Sequence, residues 1–132
     1  MCVTTVGPLL VWSRAFPAIP GEVREARQFL SAILDGCSSA DDAIVCLSEL
    51  VTNATVHSRS GERGGHFFVR VQLRGSHLRV EVSDQGGSWA QPADTNERNG
   101  RGLLIVDQLT RAWGRTGNEH AGWTIWFEME CW

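Results

Sequence analysis

The sequence predicts an α+β protein, a two-layer sandwich with helices on one face of a mostly antiparallel sheet. Three observations predict it. Residues 66–74 (HFFVRVQLR) and 77–83 (HLRVEVS) alternate apolar and polar side chains, the period of strands with one buried and one wet face. Residues 21–34 and 40–57 instead repeat apolar side chains at helical spacing. A further helix-like and strand-like stretch follows a polar segment at 85–100. The length of 132 residues suits one domain over 1–132, with residues 1–8 as a flexible N-terminus.

Each element has its own signals. Residues 9–16 (LLVWSRAF) are β-prone, and Pro17 and Pro20 end the strand. Val23, Ala26, Phe29, Leu30 and Ile33 mark the first helix, which Gly36 stops. Ser38 and Ser39 offer hydroxyl caps to the second helix, and Asp41 places an acid in its first turn. Its apolar stripe is Ala43, Ile44, Leu47, Leu50, Val51 and Ala54. Residues 59–65 are a loop by composition. Gly75-Ser76 suits a type II′ turn between the two alternating strands. The polar segment 85–100 has the length of a functional loop or lid. A helix is expected over 101–112, then strands over 112–117 and 121–130, the last with Ile125, Phe127 and Met129 inward.

Composition removes several chemistries. All 12 basic residues are Arg, and there is no Lys. That excludes a Walker A loop, a protein kinase with the usual third-strand lysine, and a Schiff-base enzyme. Phosphate would have to be met by Arg, backbone N–H groups, a helix N-terminus or a metal. A net charge of −3 argues against nucleic acid as the main partner. No apolar run approaches the roughly 20 residues of a membrane span, and Met1–Trp12 lacks a basic leader region. A cytoplasmic chain is expected. Its four cysteines show neither C-x-x-C nor zinc spacing, so they are expected to be reduced thiols.

Three motifs could carry chemistry. Glu49, Asn53 and His57 stand at i, i+4 and i+8 on the second helix, in one polar row beside the apolar stripe. The Glu can polarise a hydroxyl, and the Asn oxygen is a hard neutral ligand suited to Mg²⁺. Taken alone, such a row is more often a solvated helix face. Asp84-Gln85-Gly86 follows an apolar strand directly. An ionised Asp can accept from an exocyclic amine, and Gly86 lets backbone approach a flat ring. Gly100-Arg101-Gly102-Leu103 opens the expected third helix, where free N–H groups favour an anion.

In this order and spacing, the motifs resemble the Bergerat-fold (GHKL) ATPases, over residues 20–130. Within them, the short chain and the text ELVTNATVHS, VSDQGG and GRGLLIVDQL are similar to the small anti-sigma-factor serine/threonine kinases of actinobacteria. The resemblance implies ATP and Mg²⁺ as cofactors. Asp84 would bind the adenine amine with room given by Gly86, and Asn53 would hold Mg²⁺. Glu49 would be the general base for a seryl or threonyl hydroxyl. Gly100, Arg101, Gly102 and Leu103 would cradle the phosphates, and Thr124 would support Asp84 or the adenine. The substrate would be an anti-anti-sigma (STAS) protein, and a sigma factor would be the second partner. Relatives often dimerise, and the apolar stretch Val3–Trp12 offers a homodimer interface. Two positions differ from the family pattern. Ser88 stands where a last glycine is usual, and Trp123 where a lysine is common. These differences motivate an alternative, a nucleotide-gated binding module without phosphate transfer.

Overall fold

The computed structural model describes residues 7–57, 65–85, 97–118 and 120–131, and only the backbone at 56–57 and 97–102. The chain runs β1 (Leu10–Pro17), α1 (Glu22–Ile33), α2 (Ala40–His57), β2 (His66–Arg74), β3 (His77–Ser83), α3 (Glu97–Leu109), β4 (Ala112–Asn118) and β5 (Gly122–Glu130). The strands form one sheet in the order β1-β2-β3-β5-β4, every neighbouring pair antiparallel. Among the described residues, no helix is long and apolar enough to cross a membrane.

Alternation decides which face is buried. Phe67, Val69, Val71 and Leu73 on β2, Leu78, Val80 and Val82 on β3, and Ile125, Phe127 and Met129 on β5 all point into the core. Leu30 of α1, Leu47, Leu50 and Val51 of α2, and Val106 of α3 close it from the helix side. The other sheet face carries the charged side chains, with Phe68 and Val11 exposed among them. There Arg79 pairs with Glu81 and Glu128 at 2.8 and 2.7 Å and lies over the Trp126 ring, 4.2 Å from its centroid. A Cβ on Gly114 would stand 2.7 Å from Trp126 Cζ2, so the indole needs the bare backbone beside it. Gly75 has φ +60° and no described non-glycine residue has positive φ, which agrees with a type II′ hairpin turn between Arg74 and His77.

Three expectations are corrected. The third helix begins at Glu97 and ends at Leu109, not at 101 and 112. Its end is set by a tertiary bond: after a last helical bond from the Thr110 amide to the Val106 carbonyl, the Arg111 amide donates to Glu128 O at 2.8 Å and starts the sheet. The hydroxyls of Ser38 and Ser39 donate to the carbonyls of Cys131 and Glu130, at 2.8 and 2.9 Å, so they serve the C-terminal segment. The cysteines are not all reduced. Cys37 and Cys131 form a disulfide with Cα atoms 5.0 Å apart. Spacing rules look for cysteines close in sequence, whereas topology brings this pair together from 94 residues apart. Cys46 is a free, buried thiol on α2, and Cys2 lies outside the described residues.

Candidate functional site

Glu49 and Asn53 lie on α2, which packs against β3, and Asp84 follows β3. Asp84 directly follows β3 and continues its inward row after Val80 and Val82. The neighbouring strand holds it firmly. The Trp123 amide donates to Asp84 Oδ1 at 3.0 Å, and the Asp84 amide donates to the Trp123 carbonyl at 2.8 Å. Gly122 makes this possible. It has φ +107°, and a Cβ there would stand 2.5 Å from the Asp84 carbonyl oxygen. Asp84 is only 9% exposed, so its carboxylate is an oriented group at the mouth of the core, not a surface charge.

Asn53 is the second anchor. Its carboxamide is 6% exposed, and its Nδ2 has no hydrogen-bond partner among the described residues. Buried polar groups are nearly always satisfied, so an orphan at this place needs a reason. Glu49 stands one helical turn earlier on the same side and is half-buried. The polar row is therefore not a solvated face at these two positions. His57 ends α2, and its side chain lies outside the described residues.

A carboxamide offers a donor at one end and an acceptor at the other, and a half-turn exchanges them. Asn53 could thus bind a phosphate oxygen or a hard cation. Among the described residues, no group of three or more His, Cys, Asp or Glu could hold a metal. Such a site fits a Mg²⁺ ion held mainly by phosphates, with Asn53 as a single protein ligand.

The remaining candidates are placed differently. Gly100, Arg101 and Gly102 lie inside α3, whose first residue is Glu97, so their amides are not the free amides of a helix N-terminus. Leu103 is half-buried and lines a cavity of about 450 Å³ with Trp113, Gly114, Arg115 and Ile125. Gly86, Ser88 and Trp89 lie outside the described residues. Thr124 pairs in register with Ser83, and their hydroxyls meet at 2.8 Å. This pair shares the outer row with Glu81 and Trp126, facing away from the helices. Thr124 thus clamps β3 to β5 next to Asp84, and does not line the helix side.

Sequence reasoning missed three contributors: Ser83, Gly122 and the Trp123 backbone. Gly122 was the legible one, because a glycine opening a strand suggests close backbone approach. Trp123 falls on the inward row, and the Arg115 guanidinium lies 4.4 Å from its ring centroid.

Comparison with known proteins agrees with this geometry. A model of the histidine kinase-like ATPase domain family matches residues 16–128. A serine-protein kinase RsbW of Listeria innocua is 28% identical over 111 residues, covering 70% of this chain and 71% of that protein. A serine-protein kinase RsbW of Oceanobacillus iheyensis is 24% identical over 111 residues, covering 70% of each chain. Among solved structures, the RsbU and RsbW domains of Rv1364c from Mycobacterium tuberculosis match with a TM-score of 0.72 and 22% identity. That match covers 94% of this chain and 32% of the other, so this chain spans about a third of that longer one and shares its fold.

Proposed function

Because the chain belongs to the histidine kinase-like ATPase domain family, we propose that it binds ATP at the Asp84 end of the sheet and phosphorylates a serine or threonine of a protein partner. The buried Asn53 carboxamide, whose Nδ2 has no partner among the described residues, carries this reading. A fold keeps such a group at a cost of roughly 1–3 kcal/mol unless a ligand completes it.

Each candidate residue takes a role in this proposal. Asp84 accepts from the adenine amine, since an ionised carboxylate is an acceptor only. Gly86 leaves room for the ring. Asn53 holds Mg²⁺ together with the phosphates, and the metal when bound neutralises phosphate charge. Glu49, one turn away, takes the proton of the attacking hydroxyl. Gly100 to Leu103 meet the phosphates if the first turns of α3 unwind, and two glycines make those turns the least costly to open. Thr124 acts through Ser83, by fixing the strand end that bears Asp84.

The substrate in this proposal is a small anti-anti-sigma (STAS) protein, with a sigma factor as the second partner and the cytoplasm as the compartment. The relatives named serine-protein kinase support transfer to serine. The test is transfer itself. The chain, ATP, Mg²⁺ and candidate STAS proteins should yield phosphoserine or phosphothreonine by mass spectrometry. Glu49→Ala should lower the rate by about 10²–10⁴-fold while ATP still binds, the usual worth of a general base. Full transfer by Glu49→Ala would remove Glu49 from its role.

One observation favours a second reading, a nucleotide-gated module without transfer. Trp123, where relatives often carry lysine, is engaged by Arg115 at 4.4 Å. Under that reading ATP binds and no STAS protein is phosphorylated.

A further inference from the structure

Two cysteines meet at the end of the sheet opposite Asp84. Cys37 precedes α2 and Cys131 follows β5; both are buried and joined. The contact is wider than the sulfurs. The Ser38 amide and hydroxyl both donate to the Cys131 carbonyl, at 2.9 and 2.8 Å. Ser39 Oγ donates to the Glu130 carbonyl at 2.9 Å, and the Cys131 amide donates to the Ser76 carbonyl at 2.7 Å. These bonds run beside the sulfur link and join the same two segments. The link ties α2, which carries Glu49 and Asn53, to β5, whose Trp123 amide holds Asp84. Cys131 also lies beyond residue 128, where the family match ends.

In a cytosol, thiols are kept reduced, and the disulfides that do form are mostly transient, catalytic or redox-sensing. We propose that Cys37 and Cys131 are a reversible thiol–disulfide site, closed by a low-molecular-weight disulfide such as oxidised glutathione, whose closure locks α2 onto β5 and tightens nucleotide binding. The nucleotide part rests on the function proposed above.

The chemistry balances by exchange. One cysteine thiolate attacks a sulfur of the oxidant, forming a mixed disulfide and releasing one thiolate. The second cysteine thiolate attacks the protein sulfur of that mixed disulfide and releases the other. Two protein thiols are oxidised, the oxidant is reduced to two thiols, and the protons pass from the cysteines to the released thiolates. Because both sulfurs are buried, exchange requires the 130–131 segment to lift from the start of α2. Cys46 does not compete. Burial, then the charges of Asp42 and Glu49, push its thiol up to about 12, and the thiolate is the nucleophile.

The test uses the full chain in buffers of graded reduced-to-oxidised glutathione. Alkylation and mass spectrometry should show the Cys37–Cys131 peptide appearing and disappearing with the ratio, with Cys46 never cross-linked. Hydrogen exchange should be slower in α2 and β5 of the oxidised form. A fluorescent ATP analogue should bind at least about fivefold tighter to that form, the lower end of typical coupling between sites. The double variant Cys37→Ser, Cys131→Ser should stay at the reduced value at every ratio; reducing the wild type makes the same comparison without substitution. Free alkylation of both cysteines at every ratio would overturn the site, and equal analogue affinity of the two forms would overturn the coupling. An absence of analogue binding in both forms would overturn the nucleotide reading, and the exchange rates of α2 would still decide the lock.

Discussion

Asn53 is a residue whose fold and function pull in opposite directions. Its buried carboxamide lacks a partner at Nδ2 among the described residues. A leucine of similar size would remove that unsatisfied group. Asn53→Leu should therefore raise the melting temperature by about 2–8 °C, as about 1 kcal/mol does in chains near this size. The same variant should lose ATP binding. Thermal melts with and without ATP read both effects, and a lower melting temperature with binding intact would contradict the assignment. Gly122 makes a complementary case. Gly122→Ala would force a methyl to within 2.5 Å of the Asp84 carbonyl oxygen at φ +107°. A stability loss of about 1–3 kcal/mol is expected from denaturant midpoints, with weaker ATP affinity because Asp84 is displaced.

At the scale of elements, the alternating strands were legible to the residue. Expected spans of 66–74 and 77–83 coincide with β2 and β3, because strict alternation fixes both identity and face. The C-terminal end of α3 was not legible, since it is set by the bond from the Arg111 amide to the distant Glu128 carbonyl. Ser38 and Ser39 look like caps in sequence because their usual partners are local amides. Here the C-terminal carbonyls compete and win. That end of the sheet also carries Glu130, whose carboxyl is held below its usual range by hydrogen bonds from Ser76 and His77. A carboxyl depressed in the folded state contributes stability above its unfolded value, and this is lost as pH falls through the folded value. Glu130 is well exposed, so the effect is small. Glu130→Gln should be slightly less stable than wild type at neutral pH and equal to it below the carboxylate range. Urea midpoints at the two pH values check this.

At the scale of the whole molecule, the site depends on four elements meeting, and the sequence announced three of them. The row on α2, Asp84 after β3 and the glycines of α3 were visible as motifs. The burial of Asn53 and Asp84 was not, because a polar row beside an apolar stripe looks the same whether water or a sheet lies over it. Thr124 shows the opposite. Alternation had already set Ile125, Phe127 and Met129 inward, so its outward direction was readable, and of the two supports the resemblance implies, Asp84 or the adenine, its bond to Ser83 favours the first. The disulfide was invisible because its partners are 94 residues apart and meet only through the order of the sheet.

In the proposed function, Asp84 and its neighbours form an ATP site. Calorimetric titration of the chain with ATP and Mg²⁺ tests it most directly, beside Asp84→Asn, whose amide oxygen can still accept the Trp123 N–H bond. Saturable micromolar binding by the wild type is expected, with at least about tenfold weaker binding by the variant, the worth of a hydrogen bond to a charged group, and unchanged circular dichroism. No saturable heat from the wild type, or equal affinity of the two proteins, would contradict it.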